Sequence, residues 1–176
     1  KQSTIHTKIK ENKMGMDVNG LNPKQNKLKE EFPVYYKFDS MDFDKKWKEL
    51  GEDKELKEQY WKERTDYEEV NVGHYFRNNV WWWRPLWNYC AEIAPDLIDG
   101  DLMYEGHNNS GAGLDDKDAK LLGNRLLQKI REGDTDRFKK HHEEQEEDKE
   151  YKYPFDVDNV KAFAEFCIQS GGFEIC

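Results

Sequence analysis

Two stretches of this 176-residue chain concentrate side chains able to do chemistry. The first reads Tyr75-Phe-Arg-Asn-Asn-Val-Trp-Trp-Trp-Arg-Pro-Leu-Trp-Asn-Tyr-Cys90. Arg77 and Arg84 offer planar donor forks for a carboxylate or phosphate, and Asn78 and Asn79 both donate and accept. Trp81, Trp82 and Trp83 cannot all face one way: on a helix they spread by about 100° per residue, and on a strand they alternate. At least one ring is therefore left partly exposed or in a cleft. Exposed rings beside a guanidinium are how proteins hold bases and nucleotides. The competing reading is a core helix whose Trp side chains fill large gaps, with Arg84 paired to a carboxylate.

The second stretch is Gly106-His-Asn-Asn-Ser-Gly-Ala-Gly-Leu114. Its glycines let backbone approach a ligand closely, and His107, Asn108, Asn109 and Ser110 add side-chain donors. A helix beginning at Asp115 would put the preceding amides at its positive end, a natural anion site. Neither GxGxxG within a βαβ unit nor GxxxxGK[ST] is present, so there is no nucleotide fingerprint. The alternative is a tight structural turn with Asn in left-handed positions.

Other chemistries are weakly signalled. Asp17, His74, His107 and Asp115 could ligate a metal only if the fold gathers them, since no local spacing supports it. His141 and His142 are adjacent and diverge on a helix. Cys90, Cys167 and Cys176 form no CxxC pair, which argues against a zinc knuckle or thioredoxin-type site and for free thiols in a reducing compartment. No GxSxG nucleophile motif occurs. No catalytic residue, cofactor or metal is expected.

The elements that must position these groups are set by composition. Apolar residues are 36% of the chain and charged residues 37%, against usual figures of roughly 45–50% and about 25%. That balance leans toward disorder, but six Trp, nine Tyr and nine Phe argue for an aromatic core, because large rings bury much area each. The length suits one ordinary core. A net charge of −9 argues against general nucleic-acid binding, which needs clustered Lys and Arg. No apolar run is long enough to suggest a membrane span, and the first residues lack the apolar core of a signal peptide.

Residues 1–13 read as a polar arm. Met14-Gly-Met-Asp-Val18, apolar at alternate positions and closed by Asn19-Gly20, predicts a strand, and Pro33-Val-Tyr-Tyr-Lys-Phe38 is a second extended candidate. Residues 42–50 and 53–67 read as two charged helices broken at Gly51, and with the polar stretch before them suggest an insertion over 22–72. Residues 72–80 read as strand or loop. A helix over 81–94 carries Pro85 in or near its first turn and Leu86, Tyr89, Cys90 and Ile93 inward. Asp101-Leu-Met-Tyr104 is a short strand candidate. A helix starts near Asp115, its N-cap, with Ala119, Leu122, Leu126 and Ile130 on one face. Residues 134–152 predict a solvated helical extension. A last helix over 157–168 buries Val160, Phe163, Ala164 and Cys167, and Phe173-Glu-Ile-Cys176 reads as a terminal strand. The fold class is α+β: a small mixed or antiparallel sheet packed against three or more helices, in one domain over 14–176.

Three pieces resemble a group of small uncharacterised proteins of tailed bacteriophages and prophages: Met14-Gly-Met-Asp-Val-Asn-Gly20, Tyr75-Phe-Arg-Asn-Asn-Val-Trp-Trp-Trp-Arg-Pro-Leu86, and the ending from Phe155-Asp-Val-Asp-Asn-Val to Gly171-Gly-Phe-Glu-Ile-Cys176. The resemblance implies a domain start at Met14 and an insertion over 22–72 peculiar to this chain, and brings no activity. In that group the loop usually carries an acidic residue where this chain has Ser110 or Ala112, which argues against a metal or catalytic role for it here. The leading expectation is a phage-type accessory binding protein. Its cleft would hold a small anionic or nucleotide-like ligand, or a host factor, between Arg77, Asn78, Asn79, Trp82, Trp83 and Arg84 on one wall and His107, Asn108, Asn109 and Ser110 on the other. The alternative is a structural or interaction subunit of a larger assembly such as a virion, compatible with an oligomer. A metal-dependent hydrolase using Asp17, His74 and His107 comes third. The expected location is the infected host's cytoplasm or the virion.

Overall fold

The computed structural model describes residues 15–176. The arm expected over 1–13, and Met14, lie outside the described residues. In chain order the elements are β1 (Gly15–Gly20), α1 (Pro33–Asp39), α2 (Phe43–Glu52), α3 (Lys54–Val70), β2 (Tyr75–Asn79) and α4 (Val80–Ile93). Then come α5 (Gly100–Glu105), β3 (Ala112–Asp115), α6 (Asp116–Arg131), α7 (Asp134–Glu146), α8 (Val157–Gln169) and β4 (Gly172–Ile175). This is an α+β fold, with a four-stranded sheet of order β2-β1-β4-β3 in which every neighbouring pair is antiparallel.

Alternation along the strands decides what each face carries. Met16, Val18, Leu114, Phe173 and Ile175 point into the core, where they meet the buried faces of α4, α6 and α8. The register pairs Asp17 with Arg77 and Asn19 with both Tyr75 and Glu174, which puts these residues on the opposite, polar face. The core is aromatic, as composition predicted. Trp83 stacks on Trp87 with centroids 5.5 Å apart and meets Phe163 edge-on, and Phe163 meets Phe173. Helices α6 and α8 form the most extensive helix pair. A Cβ at Gly123 would stand 2.6 Å from the Ala164 carbonyl oxygen, so a side chain there would force the two helices apart.

Two strands run straight into helices, and in each case the last strand residue caps the helix. The Asn79 side chain accepts from the amides of Trp81 and Trp82, both at 3.1 Å. Asp115 accepts from the Asp118 amide at 2.9 Å, as its N-cap reading predicted. Such caps satisfy amides that a helix start otherwise leaves unpaired.

Helices α1, α2 and α3 pack around a separate cluster of Phe32, Tyr35, Phe38, Leu50, Tyr60 and Tyr67. This unit joins strands that are already neighbours, since the Gly20 amide donates to the His74 carbonyl at 3.1 Å. Asn71 fastens it there. Its Oδ1 accepts from the amides of Asn26 (2.7 Å) and Lys27 (3.2 Å), while Nδ2 donates to the carbonyls of Lys27 and Tyr67.

Several elements depart from expectation for identifiable reasons. Pro33–Asp39 is helical rather than extended: the Val34 and Tyr35 amides both donate to the Glu63 carboxylate, at 2.7 and 3.0 Å, so a side chain from α3 completes the helix start. Gly51 does not break α2, which continues to Glu52 before Asp53 caps α3. Pro85 lies inside α4, beyond its first turn. There it removes a bond to the carbonyl of Trp81, a residue that is exposed and so within reach of water. Ile93 is only partly buried. Residues 100–105 form α5, not a strand, because Asp99 caps it by accepting from the Leu102 amide. The last residues of the Gly-rich stretch form edge strand β3. The 134–152 helix stops at Glu146 and is docked rather than free-standing, with Phe138 against Tyr89 and Phe155 and the Thr135 hydroxyl bonded to that of Tyr89.

Candidate functional site

The first candidate segment splits three ways. Arg77 lies on the open face of the sheet, its Nε 3.5 Å from Asp17 and its guanidinium over Gly15. Asn78, one residue on, turns to the helix side and exchanges two hydrogen bonds with Asn159 of α8, at 3.0 and 2.7 Å. Asn79 is the α4 cap. Strand alternation followed by a helix start accounts for all three without a ligand.

The Gly-rich loop does meet the Trp segment, through buried groups. Trp83 Nε1 donates to the Gly106 carbonyl at 2.7 Å, and a Cβ on Gly106 would stand 2.2 Å from Trp87 Nε1. Trp83 is 0% exposed and serves the core. His107 Nε2 lies 2.9 Å from Asn88 Oδ1. Asn108 donates to the Tyr104 carbonyl and Asn109 to that of Gly15. Ser110 is exposed at the loop tip. The positive end of α6 is occupied by the chain's own carboxylates, Asp115, Asp116 and Asp118, so the anion site expected there is already filled. Arg77, Arg84 and His107 thus face different partners: Asp17, Tyr153 and Asn88.

What gathers chemistry is α4 with the segment after α7. Trp81, Arg84 and Asn88 fall at i, i+3 and i+7 on one stripe of α4. Over it lies Tyr153, held at three points. Arg84 Nη1 donates to its hydroxyl at 2.8 Å, its amide donates to Glu146 Oε2 at 3.0 Å, and His142 Nε2 donates to its carbonyl at 2.7 Å. The Trp81 ring packs on the Tyr153 ring at 5.0 Å, and the Arg84 guanidinium sits 5.8 Å from that ring's centre. On one side of Tyr153 opens a groove of about 540 Å³, walled by Trp82, Tyr153, Phe155, Lys139, Glu143 and Asp156. On the other lies a hollow of about 330 Å³, lined by Arg84, Asn88 and Lys149. His142, Glu146 and Tyr153 border both.

Charges here are unevenly satisfied. Arg64, Arg77, Arg125 and Arg137 each hold a carboxylate, whereas Arg84, like Arg131 at the end of α6, pairs with none among the described residues. Lys149 lies 2.5 Å from Glu146, and that contact, with the Tyr153 amide, holds the Glu146 carboxyl below its ordinary range. Lys139 is shared by Asp156 at 3.3 Å and Glu143 at 4.0 Å. Trp82 and Arg84 were visible as candidates in the sequence. Tyr153, Lys149 and Lys152 were not, because they sit in or beside a run that reads as solvated charge, and His142 reads with His141 as a pair diverging on a helix.

Among the described residues no group of three His, Cys, Asp or Glu could hold a metal ion. Asp17 takes a hydrogen bond from the Tyr75 hydroxyl, whose pKa is pushed up to about 12 by burial and by that bond. His74 packs edge-on against Tyr67. Cys90 and Cys167 are buried, and burial raises both thiols well out of the reactive range. No described helix is long and apolar enough to cross a membrane.

His74 and His107 carry a pH signature. Each has a buried Nδ1 without a hydrogen-bond partner. Burial lowers the pKa of both, helped at His107 by the charge of Arg84 and at His74 by Lys29. A depressed folded pKa contributes stability above the unfolded value of about 6.5 that is lost as pH falls. The melting temperature is therefore expected to drop as the pH is lowered from about 6.5, before the carboxylates titrate. His107→Gln should flatten that slope in melts taken across the same interval; an unchanged slope in the variant would contradict the assignment.

Comparison with known proteins gives no match: no family model, no curated protein and no solved structure.

Proposed function

We propose that this chain is a non-catalytic binding protein that holds a small anionic, ring-bearing ligand of nucleotide-like chemistry beside α4, α7 and Tyr153. The observation that carries the reading is Arg84. It lies over an aromatic ring, spends one donor on a hydroxyl and pairs with no carboxylate among the described residues, in a chain of net charge −9. Five N–H donors in a rigid fork suit a phosphate or carboxylate, and Trp82, Tyr153 and Phe155 supply ring surface for a flat group. By the resemblance to phage proteins, such a binder would be an accessory factor of the infected cell or the virion.

The test is titration with ATP, GTP and pyrophosphate, followed by tryptophan fluorescence and melting temperature. Binding should raise the melting temperature with concentration. Arg84→Gln should weaken it by at least about tenfold, the equivalent of 1.4 kcal/mol. No response to any probe at millimolar concentration would overturn the reading.

A second reading, an interaction subunit, has its own support. Phe43, Trp47 and Trp61 form a row across α2 and α3 with centroids 6.1 and 5.8 Å apart, and Phe43 is 71% exposed. Sedimentation of the wild type against Phe43→Ser would reveal self-association through that row.

A further inference from the structure

The two hollows flanking Tyr153 differ in charge, and the difference bears on which ligand fits. In the smaller one Arg84 has no carboxylate partner and Lys149 is matched by Glu146 alone, which leaves one positive charge uncompensated. In the larger one Lys139 is shared by Glu143 and Asp156, and the second lysine of its lining, Lys152, pairs with neither. One carboxylate there keeps acceptor capacity free, next to the rings of Trp82, Tyr153 and Phe155. Lys152 stands at the rim, exposed. Tyr153 lines both, its backbone anchored by His142 and Glu146 and its side chain by the bond from Arg84 to its hydroxyl.

A ligand matched to both sides carries an anion at one end and a flat ring bearing hydrogen-bond donors at the other. We infer that this site takes a nucleotide whose base has an exocyclic amine. The base lies in the larger hollow against Trp82 and Tyr153, with its amine toward Glu143 and Asp156. The phosphate lies beyond Tyr153, at Arg84 and Lys149. A volume of about 540 Å³ falls within the range of small-molecule sites, roughly 300–1,000 Å³. The inference rests on the binding function proposed above and adds the polarity of the ligand.

Calorimetric titration of the full chain with AMP, IMP, adenosine and inorganic phosphate tests it. IMP carries a carbonyl and an N1–H where AMP carries the exocyclic amine and an acceptor N1; adenosine lacks the phosphate. AMP should bind at least about tenfold tighter than each of the other three. Arg84→Gln should abolish the preference for AMP over adenosine. The double variant Glu143→Gln/Asp156→Asn should abolish the preference for AMP over IMP while keeping that over adenosine. IMP binding as tightly as AMP would overturn the amine assignment and leave the binding function standing. An Arg84→Gln variant that keeps the full AMP preference would overturn the phosphate placement. Failure of all four probes to bind would overturn both readings together.

Discussion

Trp83→Ala is expected to cost the fold about 3–5 kcal/mol, the range for truncating a fully buried large aromatic. The site offers little scope for collapse. Trp83 is walled by the Trp87 ring stacked at 5.5 Å and by Phe163 edge-on, and these rings belong to α4 and α8, which also pack on the sheet. The substitution also removes the donor to the Gly106 carbonyl, leaving a buried acceptor unpaired, a penalty of about 1–3 kcal/mol. Trp83→Phe separates the two terms, because it keeps much of the ring and loses the N–H. Equilibrium urea unfolding followed by far-ultraviolet circular dichroism gives both values without relying on tryptophan emission. Hydrogen exchange supplies the local check: amides of residues 107–111 should lose protection in both variants, since the bond lost is the one that seats the loop. A loss below about 1 kcal/mol for Trp83→Ala, the size of a typical surface or conservative change, would mean that the core is not organised around this ring.

Asn71→Ala should be the next most costly change, at about 1–3 kcal/mol, because it removes at once four hydrogen bonds made by a buried side chain. Asn71 is 1% exposed, and its amide uses two acceptor positions and two donor hydrogens on residues at opposite ends of the helical unit. The carbonyl of Tyr67 keeps a second donor, the Asn71 amide. The amides of Asn26 and Lys27 lose their protein partner and are left to solvent. Asn71→Asp is a sharper test: the shape is retained, but the two donors become acceptors facing carbonyls. In both variants limited proteolysis is expected to cut within residues 22–32 well before the sheet unfolds. Cleavage rates equal to wild type would show that Asn71 does not fasten the unit.

Legibility in the sequence followed the range of the interactions involved. Strands β1 and β4, the helices α4, α6 and α8, and the Asp115 cap rest on alternation, helical spacing and a neighbouring side chain, all local signals. The errors rest on distant partners or on a cap passed over. Pro33–Asp39 is helical because Glu63 supplies its capping carboxylate, and nothing within the segment announces that. The 100–105 helix was readable from Asp99 beside Gly100, yet its apolar residues looked like a short strand. The polar residues between the rings divided according to backbone geometry: Asn79 is spent on a cap, Asn78 on Asn159 and Arg77 faces Asp17 across the sheet, while Arg84 reaches Tyr153. Its companion Tyr153 comes from 69 residues away, a distance at which no spacing rule operates, and a string of Glu and Lys conceals the segment that delivers it.

The sheet order has a consequence for how the chain is assembled. β1 at residues 15–20 and β4 at 172–175 lie side by side, with Val18 opposite Ile175. β4 is also the only strand among the described residues that contacts β3. Until it emerges, a growing chain can form the β1–β2 pair and the α1–α3 unit but cannot connect them to β3. Such long-range closure slows folding, and during synthesis it leaves the inner edge of β1 unpaired, a surface open to wrong partners. The strand that comes last of these four is thus the one that turns two partial sheets into one.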